Sequence, residues 1–406
     1  MKKPLVIAFL LLAAFAAHAQ QGSDAPQRGM EAVQRLLRER PADPTLWFYL
    51  ARYQAEGGAV ADVVQSLAKV GELGEGFLPP RDGFERVWTD PRFIEARAKL
   101  ESKLPRLDFA PTAFQLEETL LIPEGLAYDE PSHSFFVGSI AQHRILRVDE
   151  ASQAVREFAG AEAHLDAVLG LAMDSPRRLL YAVSTSGITQ AGATQPRNAV
   201  VAFDVDTHQL KQRYDVPGAR QLNDVAIAPG GRAFVTDSES GAVYELPVKV
   251  PANAREVVPP GGLRGSNGIA VSPDAKRLYV AHATGIAVVE LTDGTLARVE
   301  NRTRENIAAI DGLYMWHGQL IGVENVTNPG RVIAMTLSSD GSAITRVQTL
   351  VSHHHPALQE PTTGAPSSHG FFLLAATGVA HYNRQGVIEQ PDSVPPPTVI
   401  RIPLPR

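Results

Sequence analysis

From Leu107 onward one short pattern recurs six times, and it restricts the fold more than any other feature of the chain. The stretches "EGLAYDEPSHSFFVGS", "LGLAMDSPRRLLYAVS", "NDVAIAPGGRAFVTD", "NGIAVSPDAKRLYVAH" and "DGLYMWHGQLIGVEN" align on one template, with "TGAPSSHGFFLLAAT" as a weaker sixth copy. Each opens on a small or acidic residue, runs through a few strand-forming residues, turns, and continues as a second apolar strand. The aligned small-residue column is Gly125, Gly170, Asp224, Gly268, Gly312 and Gly364, at spacings of 45, 54, 44, 44 and 52 residues. A third apolar run follows every copy: "HRILRVD", "NAVVAFDVD", "GAVYELPV", "GIAVVELT", "GRVIAMTL" and "GVAHYNRQ". Repeats of this length with three or four strands each define a β-propeller, one blade per repeat. The expected fold class is therefore mainly β: a six-bladed β-propeller over 107–406. The terminal "TVIRIPL" is expected to close the ring beside residues 107–120.

In a propeller the innermost strand of each blade lines a central channel. Residues that enter those strands then converge at one mouth of it. Here that column reads Glu124, Leu169, Asn223, Asn267, Asp311 and Thr363. A single Asn or Asp before a strand is ordinarily turn chemistry. In register across several repeats, two carboxylates and two amides point to a shared site. The set Glu124, Asn223, Asn267 and Asp311 offers only oxygen donors of the kind that suits Ca²⁺, with Mg²⁺ as the second candidate. It contains no Cys and no His, which argues against a zinc-type centre on the axis.

Residues 27–105 have a different texture. "EAVQRLLRER", "PTLWFYLARYQAEGG", "VADVVQSLAKVGELG" and "DPRFIEARAKLESKL" carry apolar residues at helical spacing. Asp43-Pro44 and Asp90-Pro91 read as an N-cap followed by Pro at the first helical position, and Gly57-Gly58 and Gly74 read as stops. The middle pair resembles a tetratricopeptide-type helical hairpin, through Trp47, Leu50, Ala51 and Tyr53, then Val63, Leu67 and Val70. So small a helical domain must lean on the propeller, and it is a candidate surface for a protein partner.

The first 19 residues have a secretory layout. Lys2 and Lys3 precede an apolar stretch from Leu5 to Ala17, and Ala17-His18-Ala19 offers a small-x-small cleavage site. The run is too short and Ala-rich for a membrane span. The expectation is a periplasmic or secreted protein without a span once the signal is removed. No Cys is present, so export would be without disulfides and the fold must rest on its core. A net charge of −6 without basic runs disfavours nucleic acid and anionic membrane surfaces.

At the motifs "PEGLAYD", "LNDVAIAPGGRAFVTD", "SNGIAVSPDAKRLYVA" and "IDGLYMWHGQLIGV" the chain resembles the gluconolactonase / senescence marker protein (regucalcin) family of six-bladed propellers, and more distantly the paraoxonases. The resemblance covers about residues 115–403. It implies a divalent cation held by Glu124, Asn267 and Asp311, with Asn223 as ligand or substrate contact. Two departures stand out. The family's first motif usually reads Glu-Gly-Pro and an aromatic residue, where this chain has Glu124-Gly125-Leu126-Ala127. Sugar-lactonase members commonly carry Arg two residues before the Asn, where this chain has Gln221, and loss of a guanidinium removes a donor fork suited to sugar hydroxyls.

The expected chemistry is metal-dependent hydrolysis of a small-molecule lactone or ester, with Asp311 and Asn223 as catalytic residues. Gln221, Asn223 and His164 are the substrate-side candidates, His164 as a possible base. The alternative is a non-catalytic propeller with a structural ion and a partner-docking helical domain. A Ser-His-Asp hydrolase is a poor third, since no G-x-S-x-G occurs and "STSG" at 184–187 lacks that context. His353-His354-His355 is expected to be a solvated loop, because consecutive side chains do not easily converge on one ion.

Overall fold

A computed structural model describes residues 25–189, 195–247, 253–383 and 385–404. The secretory-type leader expected at 1–19 lies outside the described residues. Among those described, no helix is long and apolar enough to cross a membrane.

Among the described residues four helices come first: Ala25–Glu39, Pro44–Glu56, Val60–Leu73 and Pro91–Glu101. Two of them start as their sequences require. The Asp43 carboxylate accepts from the Thr45 amide at 3.0 Å, and Asp90 accepts from the Arg92 amide at 2.9 Å. Each thereby satisfies one of the donors that a helix start leaves unpaired. Gly57 and Gly74 close the second and third helices. The apolar faces meet in a core of Phe48, Ala51, Val63, Leu67, Val70, Phe84 and Phe93.

Six sheets follow among the described residues, one per repeat, antiparallel apart from one short edge strand. Their innermost strands are Pro123–Asp129, Ala167–Asp174, Leu222–Ile227, Ile269–Val271, Ile310–Trp316 and Gly364–Ser367. Each touches the next, and the first touches the last, so the ring is closed. The apolar cores lie between neighbouring blades: Phe136, Val168 and Phe203 between the first two, for example, and Phe234, Ile269 and Leu278 between the third and fourth. The fifth blade gains a short edge strand, Glu300–Asn301, parallel to Ala343–Val351.

Closure uses both ends of the propeller segment. In the sixth sheet Thr398–Ile402 pairs with Gly370–Ala376 on one side and with Thr112–Gln115 on the other. The first strand of the segment is thus the outermost strand of the last blade. One expectation is corrected here. "GVAHYNRQ" does not form the third strand of blade six; Val379–His381 is a 3-10 turn, and the C-terminal run takes that place. Gly378, at φ 70°, starts that turn in the left-handed region, which ends the strand.

The helices dock on the fourth and fifth blades. Tyr49 Oη donates to the Ala283 carbonyl at 2.9 Å, the Glu75 amide to Arg304 O at 2.8 Å, and the Leu78 amide to Thr327 O at 2.9 Å. Beneath this seam the Arg331 guanidinium is fully buried between Glu324 and Glu305, and it also donates to Asn306 O at 3.1 Å. Gly76 is required there, because a side chain at that position would strike the guanidinium.

Candidate metal centre

The polar column owes its position to a repeated irregularity. In blades one, two, three and five the inner strand slips register against its neighbour at one place: between Pro123 and Leu126, Val168 and Leu171, Leu222 and Val225, and Ile310 and Leu313. Two residues sit in each interruption, namely Glu124-Gly125, Leu169-Gly170, Asn223-Asp224 and Asp311-Gly312. Such bulges re-aim side chains, and here they release those residues from the ladder where the strands approach the axis. The glycine that follows is forced by crowding. A Cβ on Gly125 would strike the Leu169 carbonyl, and one on Gly268 would strike the backbone of Leu313.

Asp311 is the hub. Its Oδ1 accepts from Asn267 Nδ2 at 2.6 Å and its Oδ2 from Asn325 Nδ2 at 2.6 Å. Both amides spend their nitrogens on this carboxylate. The carbonyl oxygens of both, Asn267 Oδ1 and Asn325 Oδ1, are buried without a hydrogen-bond partner. Glu124 Oε2 is likewise buried and unpartnered. Burial, then the charges of Asp311 and Asp224, push the Glu124 carboxyl well above its usual range. Burial raises Asp311 to about 6 against the two amide hydrogen bonds, and raises Asp224 to about 7. The Tyr314 phenol is also pushed up, by burial and then by Asp224, Glu124 and Asp311, and its oxygen accepts from the Gly364 amide at 2.8 Å.

Three carboxylates therefore crowd one another in a site that leaves three acceptor oxygens without donors. A buried acceptor left unpaired costs about 1–3 kcal/mol. A hard divalent cation supplies what this site lacks, positive charge and a centre for oxygen lone pairs. The residues present fit that group.

The structure joins Asn267 and Asp311 by a direct bond, and brings Glu124 within electrostatic reach of Asp311. Asn223 occupies its bulge but gives its Nδ2 to Ser238 Oγ at 2.8 Å. Thr363 hydrogen-bonds the Glu124 carbonyl with its hydroxyl, and Leu169 is a buried apolar member. Gln221 donates its backbone amide to Asp237 Oδ1 at 3.0 Å, two residues ahead of the Asn223 bulge. His164 is elsewhere. It is exposed, and its carbonyl accepts at 3.5 Å from Arg213 on Leu210–Asp215, the outermost strand of blade two. The radial crossing from blade one explains the difference, because its middle lies far from the axis.

Column reading missed Asn325, Tyr314 and the involvement of Asp224. Asn325 follows the second strand of blade five, and antiparallel pairing sets Ile310 opposite Glu324. The end of every second strand thus returns to the level where the first one enters. A second column read there would have found it. The expectation of a solvated His353–His355 loop is overturned. His355 is buried, donates from Nε2 to Ala110 O at 2.9 Å and accepts at Nδ1 from the Ala357 amide at 3.2 Å. His353 keeps only 10% of its side chain exposed.

These features define a six-bladed propeller with an acid-and-amide cluster on its axis. Residues 122–321 match the family model described as SMP-30/Gluconolactonase/LRE-like region, so the chain carries that region from its first blade into its fifth. No curated protein matches the sequence. Among solved structures, the Malassezia sympodialis allergen Mala s 1 superposes with a TM-score of 0.53 at 12% identity, over 74% of this chain and 96% of that one. A gluconolactonase of Xanthomonas campestris gives 0.46 at 18% identity, over 73% and 88%. The PQQ-bound aldose sugar dehydrogenase of Streptomyces coelicolor gives 0.49 at 15%, over 72% and 96%. At these identities the likeness is one of fold.

Proposed function

We propose that this protein is an exported, divalent-cation-dependent hydrolase acting on a lactone or ester at the mouth of its propeller channel. One observation carries the reading: three buried acceptor oxygens without donors, on Glu124, Asn267 and Asn325, surround a carboxylate whose own oxygens are already engaged. Glu124, Asn267, Asp311 and Asn325 would hold the ion, with Asn223 as a further ligand or as the group that orients substrate. Ca²⁺ suits a set rich in neutral and charged oxygens, and Mg²⁺ demands a stricter octahedron. A bound cation supplies positive charge against the oxyanion that develops when a carbonyl is attacked.

The chain's own residues do the rest. Asp311, fixed by the Asn267 and Asn325 amides, would orient the attacking water beside the ion rather than titrate itself. Tyr314 keeps its phenolic proton and can donate it within the cluster. Leu169 and the inter-blade apolar residues exclude water from the channel side of the site. Gln221 stands where a sugar-specific Arg would be, which favours a substrate with fewer hydroxyls than an aldonolactone. The SMP-30/gluconolactonase-like region supports this class of chemistry.

The test is turnover of a panel of lactones and aryl esters by the chelator-treated chain, before and after Ca²⁺ or Mg²⁺ is restored. Restoration should raise the rate about 10²-fold or more, and Asp311→Asn should remove that gain. Ion binding without turnover on any panel member would favour a structural ion instead, a reading that the depth of Glu124 and Asp224, 6% and 5% exposed, makes specific.

A further inference from the structure

Two consecutive histidines meet one carboxylate where the helical region joins the propeller. Glu101 lies in the last turn of the helix Pro91–Glu101. His353 and His354 lie in the turn after Ala343–Val351, the fourth strand of blade five. Each of the three offers a ligand atom within 4.8 Å of the others. His353 Nε2 is 3.0 Å from Glu101 Oε1, and the two imidazoles stand 4.0 Å apart at a tilt of 36°. Consecutive side chains diverge in a strand. In this turn they do not.

The distances match a small tetrahedral ion. With metal–ligand bonds of about 2.0–2.1 Å, the ligand atoms of a tetrahedral site lie about 3.3 Å apart. The Nε2–Oε1 separation is already close to that edge. In the metal-free cluster Nε2 carries the proton that meets the carboxylate, and an ion would take that proton's place between the two groups.

The surrounding groups are arranged as outer partners of a site. Ser352 Oγ accepts from the Leu107 amide at 3.1 Å, donates to the Leu107 carbonyl at 3.2 Å, and lies 3.1 Å from His354 Nδ1. With its hydroxyl proton on the carbonyl, it accepts the Nδ1 proton of His354 and leaves the Nε2 lone pair for a ligand. Arg97 Nη1 fixes Glu101 Oε2 at 2.9 Å, and its Nε is held by the Pro79 carbonyl at 3.1 Å, so Oε1 is the oxygen turned to the histidines. A carboxylate in the last turn of a helix opposes the helix dipole; this one faces two imidazoles.

We propose that Glu101, His353 and His354 form a second metal site, of the Zn²⁺ class, that fastens the helical region to blade five. Two imidazoles and one carboxylate are a borderline donor set that takes Zn²⁺ or Co²⁺ ahead of Ca²⁺. The site is separate from the all-oxygen centre on the axis and does not rest on the function proposed for that centre.

The experiment uses the tag-free chain, stripped with chelator and titrated with Zn²⁺ by calorimetry and with Co²⁺ by visible absorption. Parent, His354→Ala, Glu101→Gln and Asp311→Asn are compared, with circular dichroism to confirm that each is folded. The parent should take up one Zn²⁺ that excess Ca²⁺ does not displace, and should gain thermal stability with it. His354→Ala and Glu101→Gln should each weaken this binding about 10²-fold or more, since losing a ligand costs at least as much as losing an outer partner. Asp311→Asn should retain it, whatever happens to hydrolysis. A parent that binds no Zn²⁺ overturns the proposal whichever variants fold. So does Zn²⁺ binding that is unchanged in Glu101→Gln and His354→Ala.

Discussion

Asp311→Asn should stabilise the metal-free protein at pH 8 and leave it nearly unchanged at pH 4. Burial raises the Asp311 carboxyl from 3.8 to about 6. Between those values the native state holds a proton that the unfolded chain has released. Native stability therefore falls as pH rises through that window, and the full cost is present above about pH 6. The separation corresponds to about 3 kcal/mol, an upper figure because Asp311 retains some exposure. An amide cannot ionise, so the variant avoids the cost. It can also be accommodated: its Oδ1 keeps the bond from Asn325, and its Nδ2 donates to the unpartnered Oδ1 of Asn267 once that amide turns.

Other buried groups titrate in the same range. His282, lowered to about 3, acts with the opposite sign, because its native imidazole refuses a proton that the unfolded chain accepts. Such contributions cancel when variant and parent are compared at equal pH. The assay is urea denaturation of both chains in metal-free buffer from pH 4 to pH 8. The stability difference should grow with pH to about 2–3 kcal/mol in favour of the variant. With Ca²⁺ at about 100 times its dissociation constant the parent alone should gain about 2.7 kcal/mol. A variant that is less stable than the parent in metal-free buffer at pH 8 would refute the argument that uncompensated negative charge is stored in this site.

Three further outcomes follow from packing and polarity. Gly170→Ala should cost about 1–3 kcal/mol by denaturation, since its Cβ would lie 2.5 Å from Asp224 Oδ1 and 2.7 Å from the Asn223 carbonyl. It should also weaken cation binding by moving that bulge. Arg331→Leu should destabilise by about 3–5 kcal/mol, because it leaves the fully buried Glu324 without its cation; the loss should shrink below about pH 7, where burial keeps Glu324 protonated. Asp43→Ala should cost about 1 kcal/mol through the lost helix cap, read as a lower melting temperature with hydrolysis unaffected.

The six-fold repeat made the propeller legible, because each blade needs its own hairpin and its own turn chemistry. It also gave the axial column, since a repeated position in a ring must converge. What lay outside the column was harder to read. Asn325 reaches the centre from a second strand, and Tyr314 from two residues past a glycine that the repeat assigned to close packing. His164 showed the converse error, a loop residue placed near the axis although the chain crosses the full radius of the blade there. The sixth blade misled because "GVAHYNRQ" has apolar residues where a strand would fit, and only ring closure reveals that 398–402 is needed there. The pairing of Glu101 with His353 spans 252 residues and two regions of different texture. No local pattern encodes it.

The central claim is that the oxygens of Glu124, Asn267, Asp311 and Asn325 serve one cation. Calorimetric titration of the metal-free chain with Ca²⁺, beside Glu124→Ala and Asp311→Ala, tests it most directly. The account predicts one tightly bound ion in the parent and its loss in both variants. A parent that binds neither Ca²⁺ nor Mg²⁺, or variants that bind as the parent does, would contradict it.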